Sequence, residues 1–545
     1  MTLNRKTKIQ KKARRNRLIP LPMLLLLISI LLGLAASAYL YSGHDPFYDD
    51  AWYMQFAHEA ANGEADFILN IFTYAFLNIV PIAASFKLFG YGSWQAILPS
   101  IIEYILLLLV TFQISKRIYG GMFAAAAVYM LALAPFLVAY TTRVLPDINM
   151  GFAVGLSIYA FIIARRKKTI AMSVLSGLLA AYTIYVKTQA FIYIVLFIFV
   201  VIIAYLQDHK KKKERFYEEK LLAATFIGLA VGLAAYFSVF YIVLGGPFVA
   251  LNYIATQSGE TIAHELYTFT VPFSSMNAML SDPVSVDTFP IGPLVLLAAI
   301  GTIIGLLKKN AEINYSSFLC WGMFFYIIFG TSSMHAYLRI PGFTRFFAID
   351  AALFALLGGY ALFSIYDFAK NKTKKKAALL KVAFAIVVIV IPLAYIPTYK
   401  VLKLNSINIV YSENMFNSSL GYLQKIVQNG GSINLYTLAP LGFRFNTDFY
   451  LNFIDGYNSS IHTMIIHQNG YDGITSLSCP LSAPGNRSFV LAVEPAYGPP
   501  GSDEENLLNT WLGANCTIRE IYSTPLYANY YSVIRIYVIE NTSHA

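Results

Sequence analysis

Apolar residues gather into runs close to twenty residues long, recurring from Ile19 to Pro397 between short polar segments. Each such run crosses the roughly 30 Å hydrocarbon core as a helix rising about 1.5 Å per residue. The first run, Ile19 to Tyr41, exceeds the apolar core of a cleaved signal peptide and is followed by others, so it reads as a retained span. The next, Phe67 to Phe89, contains Asn70, Asn78, Pro81 and Lys87, groups that a lipid-facing span avoids. It is expected to dip into or lie along one leaflet rather than cross. Full spans are then expected over 94–114, 122–140, 149–165, 170–186, 188–206, 221–244, 289–308, 316–331, 348–366 and 377–397. With the first, these make eleven crossings.

Beyond Pro397 the apolar runs stop. Strands are expected over 433–437, 489–494, 518–523 and 531–540, and helices near 417–428 and 506–512. Ser502-Asp503-Glu504-Glu505 opens the second helix with a capping-box pattern. The fold class expected is therefore a polytopic α-helical membrane protein with a C-terminal α/β domain. It divides into a basic N-terminus (1–18), a transmembrane domain (19–397) and the α/β domain (398–545).

Charge orients this arrangement. Only 13% of residues are charged, against about 25% in soluble proteins, and mean hydropathy is +0.57. The net charge of +11 sits in short clusters between apolar runs, from Arg5 to Arg17 and at Lys116–Arg117, Arg165 to Lys168, Lys210 to Lys213, Lys308–Lys309 and Lys370 to Lys376. Such clusters mark cytoplasmic loops. No stripe of base-stacking aromatics accompanies them, so no nucleic-acid partner is expected. If 67–89 does not cross, every cluster falls on one side, with the N-terminus cytoplasmic and the tail extracytoplasmic. Sequons at Asn417, Asn458, Asn486, Asn515 and Asn541 agree with an exported tail. Cys479 and Cys516 could form one disulfide there, whereas Cys320 lies within a span. The interior basicity and lack of a eukaryotic retention signal tilt localisation towards a prokaryotic plasma membrane.

Ionisable residues at the opposite, external edge need a reason, because charge near hydrocarbon is costly. The loop after the first span holds Asp49, Asp50 and Tyr53, followed by an amphipathic stretch with His58. Adjacent acids at a helix start are often only caps, but here they follow a span immediately. Arg143 and Asp147 stand four residues apart at a span junction, where a local ion pair is the simplest account. Lys187 ends the fifth span, a position usually taken by a membrane anchor. A late loop carries His335, Arg339 and Arg345, and external arginines ask for an anionic partner. Carboxylates can act as general base towards a hydroxyl, and the cations can hold a phosphate.

The run Asp49-Asp50-Ala51-Trp52-Tyr53, then Ala57 and Gly63-Glu64, resembles the motif after the first span of GT-C glycosyltransferases. The protein O-mannosyltransferase and lipid A aminoarabinose transferase relatives are the nearest in kind. Leu88-Phe89-Gly90, Arg143…Asp147, Lys187-Thr188 and Arg345-Phe346-Phe347 resemble later family elements, in the family's order, within about residues 15 to 400. Asp50 replaces the commoner Glu, and the family's K-P-P-L element is missing. The resemblance implies transfer of a sugar from a polyprenyl-phosphate carrier to a hydroxyl of a protein, lipid or glycan acceptor, with inversion. It implies Asp49 as base, with Asp50 and Asp147 assisting. Lys187, Arg339 and Arg345 would hold the lipid phosphate, and Arg143 would pair with Asp147. No cofactor is required by this chemistry, and the use of a divalent metal stays open.

Two other readings compete. An oligosaccharyltransferase would carry W-W-D-Y-G in its soluble domain, where the nearest string is Gly470-Tyr471-Asp472-Gly473. A flippase or transporter would place ionisable residues at mid-membrane and break its helices there, whereas the pattern suggests charge at one edge and few mid-span breaks.

Overall fold

The structure, a computed structural model, describes residues 20–41, 49–63, 76–187, 190–209, 215–246, 293–329, 344–372 and 377–400, a few single positions up to 425, and five strands between 433 and 541. Two compact units emerge: Met1–Leu40 with Phe56–Lys403, and Tyr41–Gln55 with Leu404–Ala545.

The first unit is helical. Its chain order is α1 (Leu21–Leu40), then α2 (Asp49–Asn62), which runs across the boundary between units, α3 (Phe76–Phe89) and α4 (Ser93–Tyr119). There follow α5 (Gly121–Ala132), α6 (Pro135–Thr141), α7 (Asp147–Lys167), α8 (Ile170–Val186), α9 (Phe191–His209) and α10 (Arg215–Leu244). The last helices are α11 (Pro293–Leu307), α12 (Ala311–Phe329), α13 (Ala351–Lys372), entered through a 3-10 turn (Thr344–Asp350), and α14 (Ala377–Val390). Among the described residues, five helices are long and apolar enough to cross a membrane alone, and the α5–α6 pair makes a sixth. The protein is a polytopic membrane protein.

Helices α7 and α13 form the interior, with 83% and 89% of their span windows buried, while α1 and α10 are only 28% buried and turn leucines and isoleucines outward. Lipid offers as good an apolar solvent as a neighbouring helix, so packing rests on close backbone approach. Gly177 of α8 and Gly228 of α10 show this. A methyl at Gly177 would collide with the backbone at Thr225 and Leu229, and one at Gly228 with that of Val174. Gly301 lets α11 reach the α13 backbone at Leu357 in the same way.

One expected span is broken. The run 122–140 forms α5 and α6, bent by 65° at Leu133–Ala134. Pro135 lacks an amide hydrogen and drives Ala134 to an extended conformation (φ −71°, ψ 121°). Carbonyls freed by the break accept hydrogen bonds inside the bundle. Tyr104 donates to the Ala132 carbonyl at 2.7 Å and Tyr399 to that of Leu133 at 2.9 Å.

Helix α3 has 14 residues and a length near 21 Å, short of a full crossing, with Pro81 inside it. It packs on α4 and α8.

In the second unit, five strands pair in the order β2-β1-β3-β5-β4: β1 (Ile433–Leu438), β2 (Ile461–Ile465), β3 (Arg487–Pro495), β4 (Cys516–Ser523) and β5 (Ser532–Asn541). β1 runs parallel to β2 and β3, while β5 is antiparallel to β3 and β4. The β4–β5 register slips between Glu520 and Tyr522, a bulge that leaves Ile521 without an opposite residue. The sequence pattern marks β1, β3, β4 and β5 to within two residues and misses β2. The expected helices 417–428 and 506–512 lie essentially outside the described residues, as does Cys479 of the expected disulfide.

Candidate functional site

Two antiparallel helices set up one end of the first unit. α7 ends at Lys167 and α8 starts at Ile170, so the tight turn at Lys168–Thr169 returns the chain alongside itself. Asp147 opens α7 and Lys187 closes α8, which brings the two together at the far end of the hairpin. Lys187 Nζ donates to Asp147 Oδ1 at 2.7 Å. The aspartate side chain is 3% exposed and the lysine 15%. An acid at a helix N-terminus and a cation at a C-terminus each oppose the local dipole charge, so both positions favour the ionised pair. Arg165, Arg166 and Lys167 occupy the opposite end of α7.

Among the described residues, Lys187 is thus an ion-pair partner of Asp147, beside the Arg143 that stands four residues before it. Arg143 sits in the turn before α7, where its backbone carbonyl accepts a bond from Ser100 at 2.9 Å. The α7–α8 hairpin delivers the lysine to the aspartate, while the Arg143 carbonyl ties the preceding turn to α4. Below the pair, Asn149 donates to the Leu77 carbonyl of α3 at 3.3 Å and accepts from Tyr182 of α8 at 3.4 Å. Tyr185 donates to the Gly232 carbonyl at 2.6 Å and meets Phe76 edge to face. These contacts fix α3, α7, α8 and α10 around the ion pair.

The other predicted residues are placed as follows. Asp49 begins α2, and Asp50 beside it is buried, as is Tyr53; all three belong to the second unit. His58, on the part of α2 in the first unit, bonds Asn62 at 3.0 Å and packs edge-on against Tyr91. Arg345 lies in the 3-10 turn leading to α13. His335 and Arg339 fall outside the described residues.

Two carboxylates within the bundle correct the expectation that charge is confined to one edge. Glu103 stands in the middle of α4, close enough to Tyr182 to act on it electrostatically. Asp350 is wholly buried at the start of α13, and neither carboxylate oxygen has a hydrogen-bond partner among the described residues. It lies within electrostatic reach of Cys320 and of Tyr193, whose hydroxyl bonds Ser157. A lone acid inside an apolar run was the available signal for both residues.

The fold is shared with membrane glycosyltransferases that have been solved. The chain is similar to ArnT from Cupriavidus metallidurans in the apo state, with 14% identity over 95% of this chain and 98% of that one (TM-score 0.57). It is similarly related to the same protein bound to undecaprenyl phosphate, with 14% identity, 94% and 97% coverage and a TM-score of 0.53. The Archaeoglobus fulgidus oligosaccharyltransferase in its apo form aligns at 11% identity over 87% of this chain and 70% of that chain (TM-score 0.56). In sequence, residues 80–233 match the Dolichyl-phosphate-mannose-protein mannosyltransferase family. That segment contains Arg143, Asp147 and Lys187. No curated protein matches the chain in sequence. The GT-C resemblance and the enzyme class read from the short motifs agree with these findings.

Proposed function

We propose that the protein is a glycosyltransferase that moves a sugar from a polyprenyl-phosphate carrier to an acceptor hydroxyl at the extracytoplasmic face of the membrane. The observation that carries this reading is the buried Asp147–Lys187 pair. It stands at the end of the bundle opposite the Arg165–Lys167 cluster, within the segment that matches the mannosyltransferase family. Asp147 holds the Lys187 ammonium at the depth where a lipid-linked phosphate meets the membrane edge. In the proposed reaction Asp49 takes the acceptor hydroxyl's proton, with Asp50 assisting. The acceptor oxygen bonds the anomeric carbon as its bond to the phosphate oxygen breaks, and the carrier leaves as polyprenyl phosphate. Lys187, Arg339 and Arg345 offset the negative charge that gathers on this leaving group. One displacement inverts the anomeric centre.

Eleven crossings, a cytoplasmic N-terminus, an extracytoplasmic α/β domain formed by 398–545, and a prokaryotic plasma membrane complete the proposal. The broken α5–α6 span and buried Asp350 remove the two sequence grounds against transport, so the choice of transfer rests on the family match and the outer-edge pair.

The test is transfer from radiolabelled polyprenyl-phosphate sugars in proteoliposomes, comparing wild type with Asp49→Asn. Loss of transfer with retained donor binding supports both enzyme and base. Full activity in the variant overturns the assignment of Asp49. Failure of wild type to consume any donor in the presence of crude surface acceptors overturns the transferase reading.

A further inference from the structure

Polar groups continue into the bundle beneath the Asp147–Lys187 pair. Glu103 lies on the inward face of α4, where Ala96, Ser100 and Leu107 are all buried, while Ile102 and Leu106 beside it are exposed. It nevertheless keeps part of its surface accessible, as does Tyr182 of α8, which lies within its electrostatic reach. An inward-facing carboxylate that its neighbours do not cover lines a crevice, here between α4, α7 and α8. Ser100 bonds the Arg143 carbonyl just before α7, and Glu103 stands about 4.5 Å further along α4 in helical rise. By the same measure Asn149 lies about 3 Å below Asp147, and Tyr182 about 7.5 Å below Lys187. The crevice therefore begins directly under the ion pair, with a depth that suits one sugar ring.

The lining is rich in hydrogen-bond acceptors. Tyr182 gives its proton to Asn149 Oδ1 at 3.4 Å, so its oxygen keeps only lone pairs to offer. Glu103 makes no hydrogen bond or ion pair among the described residues. Asp147 spends Oδ1 on Lys187, and its buried Oδ2 has no partner among the described residues. Acceptors left unsatisfied away from water are costly, and a carboxylate within a span calls for a partner. A ligand with several hydroxyl donors answers all three, whereas a phosphate, itself an anionic acceptor, is repelled.

We propose that this crevice holds the sugar of the lipid-linked donor and that Glu103 is a specificity-determining residue for it, an inference that rests on the transferase reading. With the carrier phosphate at Lys187, the sugar bonded to it enters the crevice. Its ring hydroxyls donate to the Glu103 carboxylate, the Tyr182 oxygen and Asp147 Oδ2. Glu103 and Tyr182 thereby read the sugar and leave the carrier phosphate to the cations.

The experiment measures binding to the full-length protein in lipid nanodiscs, with polyprenyl phosphate as probe, both bare and carrying mannose, glucose or galactose. Wild type is expected to bind at least one glycosylated carrier more tightly than the bare one. Glu103→Gln lowers that preference about tenfold, in line with losing a hydrogen bond to a charged group, and leaves bare-carrier affinity unchanged. Tyr182→Phe lowers it about threefold, and it serves as the readout if Glu103→Gln fails to fold. An unchanged preference in folded Glu103→Gln overturns the inference. So does an equal weakening of bare and glycosylated carriers, which marks a merely structural role. Wild type binding all carriers equally overturns this inference alone and leaves the transferase reading standing, whereas wild type binding none of them overturns both.

Discussion

Lys187→Met removes one half of the buried Asp147–Lys187 pair and leaves the other in place. Asp147 is 3% exposed, and Oδ2 has no hydrogen-bond partner among the described residues, so the lysine is its principal compensation. Breaking a fully buried pair from one side costs about 3–5 kcal/mol, because a charge is left unpaired away from water. Two features lower that figure. Lys187 keeps 15% exposure, and the α7 N-terminus offers the orphaned carboxylate about 0.3–1 kcal/mol of dipole stabilisation. The expected cost is therefore about 2–4 kcal/mol. Asp147→Asn is milder, since an unpaired lysine at a span end extends its ammonium to water. In Lys187→Met/Asp147→Asn no orphaned charge remains, and about half of the single-variant loss, about 1–2 kcal/mol, is recovered. The assay is thermal unfolding in lipid nanodiscs followed by tryptophan fluorescence at one fixed heating rate, because such transitions depend on scan rate. At roughly 2–4 °C per kcal/mol, Lys187→Met falls about 4–16 °C below wild type, with the double variant between them. Equal transition temperatures for the single and double variants would refute the reasoning, since no cost would then come from a stranded Asp147.

Three further outcomes are expected. Tyr104→Phe strands the Ala132 carbonyl at the α5–α6 break and lowers stability by about 1–3 kcal/mol in the same assay; no change would mean that another donor serves the break. Gly228→Ala forces α10 away from Val174 and costs about 1–3 kcal/mol, so a transition unchanged from wild type would discount the close-packing account. Asp350→Asn removes a carboxylate that is wholly buried without a hydrogen-bond partner among the described residues, and it raises the transition temperature; a fall would show that the acid is stabilised in a way its surroundings do not reveal.

Much of this protein follows from one-dimensional order. A twenty-residue apolar run in a bilayer has one economical backbone, the helix that satisfies its own amides, so composition and run length suffice to place α1, α4, α7, α10 and α13. Period-two patterning with β-branched residues likewise marks β1, β3, β4 and β5, while Ile461–Ile465 is too short to stand out from its loop. The site's residue types were legible for the same reason, since a charge beside hydrocarbon is conspicuous wherever it occurs.

Partnership was not legible. Arg143 lies four residues from Asp147 and Lys187 lies forty away, so sequence proximity gave no hint of the lysine. The length match of α7 and α8 across a two-residue turn decided for Lys187. The break at Ala134 was signalled by Pro135, yet its tolerance depends on Tyr104 and Tyr399, which come from distant parts of the chain. Asp350 and Glu103 were visible as letters, but the burial of Asp350 follows from which way its helix faces. The sequence thus determined which segments enter the membrane and which chemistry lies near its edge. Tertiary packing decided which groups meet, because hydrogen bonds and ion pairs depend on ångström distances that hydropathy does not encode.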